Sequence, residues 1–458
     1  MTKVVVIGGG ISGLAAAWFA AEAGHDVTVL EAAPQVGGKL RVEEVAGVPV
    51  DVGAEALLTV RPEGVDLLAS AGLGDERIAP RTTAAQVRAD GRNHPLPTGT
   101  MLGIPSAVDP VRASGVLSEA GLAAVAAEPD LPPLPPLTED VAVGRLVRDR
   151  LGAEVRDRLV DPLLGGVYAG RADELSLRAT MPALAAQLAD GGSLTVAAGA
   201  ATGARKAPAD GVFTTLRGGL GRLPQVLVGA NRYAVHTGVT VRDILRNESG
   251  YALECARGVD ISVLDADAVI VAVPAAKAAR LLRSVAPGAA SELAGIESAS
   301  MAIVTFAFSD VSLPPGSGLL VGAGERLATK AITISSQKWP METGGLTLLR
   351  ASVGRVGENA ALHLDDRDLV SLVHRELGAL LGIDAAPVDV RVTRWGGGLP
   401  QYAVGHVERV ARIRAAVEAV PGLAICGAAF DGVGIPACIA SARQAADRLV
   451  VPMPGRGQ

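Results

Sequence analysis

The stretch "KVVVIGGGISGLAAAWFAAEAGHDVTVLE", residues 3–31, constrains the fold more than any other. Eighteen uncharged residues separate Lys3 from Glu22, enough for a signal peptide or the start of a membrane span, since about 20 apolar residues cross a bilayer. The glycines argue against that use. Each weakens a hydrophobic helix by about 0.8–1 kcal/mol relative to Ala, and no small-residue cleavage site leads into a polar start. In a folded domain the segment reads as a β-branched strand, a glycine turn, a helix ending at Gly24 and a second strand over "HDVTVLE". Gly8, Gly10 and Gly13 then stand in G-x-G-x-x-G spacing, and Glu31 follows Gly13 by eighteen residues, close to the ~20 expected of a ribose-binding acid. Gly8 permits the turn, Gly10 lets backbone approach a pyrophosphate, and Gly13 lets helix and strand pack closely. The helix start at Ile11 and Ser12 offers unpaired N–H groups to the anion, while Glu31, followed by Ala32, accepts from ribose hydroxyls. The expectation is a dinucleotide site.

"EAAPQVGGKLR" decides which dinucleotide. Gly37 and Gly38 allow a second close backbone approach, and the cation of Lys39 counters phosphate charge or meets a flavin edge. Mobile nicotinamide cofactors rarely need this second element; the alternative is a type II turn with a solvated lysine. "VPVDVGAEALL" adds a strand ending at Gly53, with Ala54 and Glu55 beyond it. An acid, then "GGK", then "DVGAE" resembles the flavin amine oxidase superfamily, in which FAD lies extended. Most relatives carry Arg at the place of Lys39, and only Arg makes a bidentate contact.

Composition excludes other classes. With 458 residues, 49% of them hydrophobic, the chain has material for two or three domains. Forty-eight acids against 42 bases give −6 with no basic run, and aromatics are 3%, so nucleic acid is not an expected partner. Cys255, Cys426 and Cys438 form no C-x-x-C pair, so neither a disulfide framework nor a metal site is expected and a reducing cytoplasm is the simplest compartment. Beyond the opening, no apolar stretch reaches spanning length, which leaves at most peripheral membrane contact.

Three further passages organise the chain. "PDLPPLPP" at 129–136 reads as a stiff extended connector in preference to a motif for a proline-binding partner. It precedes "EDVAVGRLVRDRLGAEVRDRLVDPLL", a long charged helix with Val141, Leu146, Leu151, Val155 and Leu159 near one face and mostly solvated arginines on the other. "VTVRDILRNESGYALEC" reads as a hairpin, and "DADAVIVAVPAAKAARLL" at 265–282 as strand, turn at Pro274 and helix, a nucleotide fold resuming after an insertion; an independent α/β domain would want its own G-x-G-x-x-G. Finally, "GLAICGAAFDGVGIPACIASARQAADRL" builds a strand into Gly427 and a second glycine cluster before a helix, again aimed at an anion or an electron-rich ring.

"DPLLGGVYAGRADELSLRATMPAL", "FTTLRGGLGRLP", "RWGGGLPQYAVGH" and "GAAFDGVGIPACIASA" together resemble the protoporphyrinogen/coproporphyrinogen oxidases of haem synthesis over nearly the whole chain. The resemblance implies an α/β (mixed α+β) architecture: a Rossmann-like FAD-binding domain of p-hydroxybenzoate-hydroxylase type, an antiparallel-sheet substrate domain and a helical subdomain. The expected division is 1–80, 206–290 and 401–458 for FAD, 81–110 and 291–400 for substrate, and 111–205 for the helices. By the same resemblance Val433, Gly434 and Ile435 lie against the flavin ring, and a strand near Val241 meets the adenine through its backbone. Trp395 walls the flavin or closes its strand, and Tyr168 and Tyr402 are pocket candidates or core. His406 is a structural group rather than a base.

The implied activity is FAD-dependent oxidation of coproporphyrinogen III to coproporphyrin III, in three two-electron hydride transfers with molecular oxygen as acceptor and peroxide as product. Orientation and water exclusion dominate over acid–base work, because aromatisation drives the reaction. Four propionates want more cationic donors than two, and Arg61, Arg81, Arg88, Arg92 and Arg178 are candidates, Arg61 and Arg178 foremost. Glu55 stands where eukaryotic relatives carry an arginine. The start at Met1 directly in the first strand suits a bacterial, cytoplasmic member, with room for a transient contact with the next haem-pathway enzyme. Protoporphyrinogen IX oxidation is the alternative; an amine oxidase, a desaturase-like flavoenzyme or a porphyrin carrier are the further ones.

Overall fold

The computed structural model describes residues 1–203 and 211–449. Val4, Val5, Val6 and Ile7 are buried on both faces of their strand, as parallel strands covered by helices require. That strand, Lys3–Ile7, is central in a five-stranded sheet ordered Ala234–Thr237, Asp26–Glu31, Lys3–Ile7, Ala268–Val271, Leu423–Ile425, every pair parallel. The sheet therefore gathers three distant parts of the chain. Helix Ile11–Glu22 packs on one face through Ala15, Ala16, Ala17 and Ala20, beside Ala442, Ala445 and Ala446 of helix Ile435–Arg448. Small side chains on both helices permit that close approach. The first helix ends at Gly24, whose φ of +86° is the left-handed turn that glycine adopts without a Cβ penalty. Arg232 and Arg443 lie over the rings of Trp18 and Phe19, at 3.9 and 3.8 Å from the centroids, contacts worth about 0.5–1 kcal/mol each.

The expected hairpin is present as Thr240–Asn247 against Gly250–Arg257, with Asp260–Ala266 as a third antiparallel strand. Pro274 precedes helix Ala275–Leu281, which resumes the nucleotide fold after strand Ala268–Val271. A second, seven-stranded sheet runs in the order Asp389–Pro400, Ser298–Phe308, Thr347–Val353, Thr329–Ile334, Gly318–Val321, Ala85–Ala89, Arg92–Pro95. Its pairs are antiparallel except Gly318–Val321 with Ala85–Ala89. Helix Asp366–Leu381 covers one face, packing Leu369, Val373 and Leu377 on Phe306, Ile332 and Ile334. Between residues 108 and 203 the chain is mostly helical and packs into one core with Val87, Ala89, Met101, Ile104 and Tyr402.

Several expectations change in detail. The single long helix is four pieces: Val143–Leu151, Ala153–Val155, a wide turn over Arg156–Val160, and Asp161–Tyr168. Gly152 breaks it with φ +86°, and Pro162 lacks the N–H that would continue regular bonding. Its arginines are largely engaged rather than solvated. Arg150 grips the fully buried Glu128 at 2.7 Å, Arg158 pairs with Asp90 at 2.6 Å, and Arg148 pairs with Asp173. The proline-dense connector opens with a tight turn at Glu128–Asp130 and is then non-helical, touching Gly192 through Leu134. Boundaries at 110/111 and 290/291 fall inside helices Val108–Ser114 and Pro287–Ala294, and the one at 205/206 lies outside the described residues.

Candidate functional site

The three glycines of the opening turn have different neighbours. A Cβ on Gly8 would stand 2.6 Å from the Ala272 carbonyl oxygen, and one on Gly13 would overlap the carbonyl oxygen of Gly8, whereas Gly10 has nothing within 4 Å. The first and third glycines thus serve the fold, and the second leaves open space at the start of helix Ile11–Glu22, where a pyrophosphate can meet free N–H groups. Glu31 is fixed beside that space: Oε2 accepts from the Gly9 N–H at 2.6 Å and Oε1 from the Ala33 N–H at 2.7 Å. Each oxygen keeps a lone pair for a ribose hydroxyl. Gly238 and Val239 donate to the carbonyls of Ala33 and Glu31 at 2.9 Å each, bringing the Val241 strand alongside. The Val241 side chain is buried in the core with Leu30, so Val241 can meet a ligand only through its backbone.

The second glycine pair lies on the first. Gly37 donates to the Gly9 carbonyl at 2.8 Å, and a Cβ on Gly38 would stand 3.3 Å from Gly10. Lys39 is not a solvated turn lysine: its Nζ donates to the Gly398 carbonyl, and burial lowers its pKa. Its own carbonyl accepts from Ala54 at 3.0 Å and leaves no room for a side chain at Gly53. Trp395 closes the same patch, its indole N–H donating to the Val52 carbonyl at 3.2 Å.

Glu55, expected among the cofactor contacts because its motif puts it just past the Gly53 turn, is engaged by other side chains. Its carboxylate is taken by Lys338 and Arg350, each at 2.6 Å, and Arg350 also donates to the Gly53 carbonyl. Burial alone would raise the Glu55 carboxyl, but the ammonium and guanidinium bring its pKa down to about 2. Glu55 is thus an anchor joining the Gly53 turn to the seven-stranded sheet, with no free edge for a cofactor.

At the other end of the chain, strand Leu423–Ile425 runs into Gly427, whose N–H donates to Ser441 Oγ at 3.3 Å and whose missing side chain faces open space. Gly434 precedes helix Ile435–Arg448; Val433 packs on the helical core and Ile435 on the parallel-sheet core. Tyr402 holds this turn from both sides, donating to the Ala428 carbonyl at 2.7 Å and accepting from the Gly432 N–H at 2.8 Å. Tyr168 tilts against it at 5.5 Å, and His406 stacks on it at 4.0 Å. Burial pushes Tyr168 up to about 12 and draws His406 down to about 4, so both are neutral at pH 7. Tyr402 is a positioning residue for the glycine turn.

The arginines scatter. Arg61 precedes helix Pro62–Ser70 and pairs with Glu63 at 3.1 Å, half exposed. Arg178 is a correction: its donors go to the carbonyls of Leu137 and Thr138 at 2.9 and 2.8 Å and to Glu408 at 3.1 Å, tying the proline connector to helix His406–Glu418. Arg88 pairs with Glu325 at 3.4 Å and donates to Asn93 at 3.2 Å. Sequence reasoning gave no role to Asp51, which is buried and accepts from the Leu220 and Gly221 N–H groups at 2.9 Å, with burial raising its carboxyl to about 7. The quoted "DVGAE" and "GGLG" motifs contained both partners, but nothing in spacing joined them.

An open glycine cradle at two helix starts, an acid with free lone pairs and a second loop laid across the first make a site for an extended dinucleotide, of the kind flavoproteins use. The chain belongs to the family described as flavin containing amine oxidoreductase, matched over residues 11–450. It is an FAD-dependent oxidoreductase. It is 40% identical to the coproporphyrinogen III oxidase of Mycobacterium leprae, covering 97% of each chain, and 34% identical to that of Bacillus subtilis, covering 95% of each. A solved structure from Exiguobacterium sp., provisionally assigned as a protoporphyrinogen oxidase, matches with a TM-score of 0.86 at 32% identity, over 97% of this chain and 98% of that one.

Proposed function

We propose that this enzyme oxidises coproporphyrinogen III to coproporphyrin III, removing six electrons in three two-electron steps while three molecules of oxygen become three of hydrogen peroxide. The observation that carries this reading is the end-to-end 40% identity to a relative of that name. FAD, when bound, would supply the two-electron acceptor for the one hydride that leaves a methylene bridge in each of the three steps.

The chain's own residues orient and enclose. Glu31 holds the ribose, the free N–H groups after Gly10 hold the pyrophosphate, and the turn at Val433, Gly434 and Ile435 presents N–H groups toward the ring. Lys39, fixed on the Gly398 carbonyl, interacts electrostatically with Cys438 in the helix that follows that turn. His406, stacked on the tyrosine that holds the neighbouring Gly432 N–H, is neutral. That arrangement suits a reaction driven by aromatisation, in which the one proton lost in each step leaves without a strong base. Oxygen as acceptor, a transient contact with the next haem-pathway enzyme and a cytoplasmic setting belong to the same proposal; among the described residues no helix is long and apolar enough to cross a membrane.

A side-by-side aerobic assay with coproporphyrinogen III and protoporphyrinogen IX, following porphyrin fluorescence and peroxide, tests it. A higher kcat/KM for coproporphyrinogen III is expected. A preference for protoporphyrinogen IX reassigns the substrate, and no porphyrin from either overturns the reading.

A further inference from the structure

Lys330 is a buried ammonium without a hydrogen-bond or ion-pair partner among the described residues, 6% exposed. Leaving such a charge unpaired costs several kcal/mol, so its surroundings show what it is for. It sits at a bulge: Thr329 pairs with Val353 and Ala331 with Ser352, and Lys330 is the extra residue between them. A bulge re-aims the side chain it carries, and such bulges recur beside functional sites.

The charges nearest to Lys330 are Arg355 and Glu358. Both are already satisfied, Arg355 by Asp161 at 2.5 Å and Glu358 by Arg171 at 2.9 Å. The corner therefore holds two closed ion pairs and one surplus positive charge. Burial, with Arg355 beside it, brings the Lys330 pKa down to about 7, and an incoming anion would reverse that shift.

Helix Asp161–Tyr168 roofs this corner. Gly165 lies under Arg355, where a Cβ would stand 3.0 Å from the guanidinium, and Gly166 lies over Leu320, where it would stand 3.4 Å away. The same helix ends in Tyr168, which leans on the tyrosine that holds the flavin turn. The helix thus runs from the Arg355 corner, beside which Lys330 lies, to the tyrosine pair at the glycine turn.

We propose that Lys330 receives one propionate carboxylate of the substrate, as a charge-assisted hydrogen bond at the bulged corner of the seven-stranded sheet. The proposal rests on the porphyrinogen reading above. It assigns the carboxylate to a lysine of the sheet rather than to the arginines of the surface loops.

The test compares wild type, Lys330→Met and Lys330→Arg as flavin-loaded enzymes. Lys330→Met removes an unpaired buried charge, so folding and flavin content should be retained. The Kd for coproporphyrin III, read by fluorescence quenching, should rise at least about 10-fold, and KM for coproporphyrinogen III should rise with it while kcat stays within about 3-fold. Lys330→Arg should recover most of the affinity. Coproporphyrin III tetramethyl ester, which lacks the carboxylates, should bind wild type and Lys330→Met equally. Equal Kd values for the free acid, or equal losses for acid and ester, overturn the anchor. Wild type that binds coproporphyrin without turning over coproporphyrinogen overturns the substrate reading and leaves the anchor; wild type that binds neither overturns both.

Discussion

The five-stranded sheet offers its ligand mainly backbone, whereas the seven-stranded sheet offers charged side chains. At the first, Gly10 and Gly427 leave space, helix starts leave N–H groups, and the single acid, Glu31, is held by two more N–H groups. At the second, Arg350, Lys338, Lys330 and Arg355 bring charge to the interior, three of them paired with acids from other elements. Backbone recognition suits a resident cofactor, because it cannot be retuned by exchanging side chains. Side-chain charge suits a substrate whose rim groups differ between relatives.

Gly10→Val against Gly13→Ala gives the largest contrast. Gly10→Val should fold, with an unchanged urea midpoint for the flavin-free protein, yet purify almost without flavin absorbance. Gly13→Ala should lose about 3 kcal/mol or more of stability, since its Cβ meets the Gly8 carbonyl. Full flavin in the valine variant would end the claim that Gly10 lines the site.

Next comes Glu55→Gln. It leaves Arg350 and Lys338 buried without their acid, an expected loss of about 3–5 kcal/mol read by chemical denaturation. A neutral result would mean the charges of the seven-stranded sheet are not locked as described.

His406 predicts an acid sensitivity. Its folded pKa of about 4 lies below the ordinary 6.5, so the unfolded chain binds the extra proton first. The stability it contributes is present above pH 6.5 and is lost as pH falls toward 4, on the order of 3 kcal/mol in all. His406→Phe should flatten that part of the stability profile while leaving the tyrosine stack; an unchanged slope would shift the cause to other groups.

Arg178→Ala is expected to be the mildest change, about 1 kcal/mol with no change in KM, because its donors serve the proline connector. A raised KM would return Arg178 to the substrate.

The same contrast explains what was legible in the chain. The opening strand, turn, helix and acid are local, and their spacing predicts them; Gly8, Gly13 and Glu31 are where that spacing puts them. The closing turn at Gly427 and Gly434 reads similarly. Glu55 with Arg350 is separated by 295 residues, so no periodicity joins them and the acid looked like a cofactor contact. Arg178 failed for a related reason: an arginine in a family-like motif says nothing of which carbonyls fold back to meet it. The bulge at Lys330 depends on the register between two strands, which a single strand's pattern does not contain.

Because helix Ile11–Glu22 packs against helix Ile435–Arg448 and the parallel sheet ends with strand Leu423–Ile425, the opening glycine turn is held in place by elements distant in sequence. The cofactor cradle is thus a joint product of distant segments. Loosening helix Ile435–Arg448 is expected to release flavin while the glycine turn itself is unchanged, so colour in a preparation would report that the two distant segments have come together.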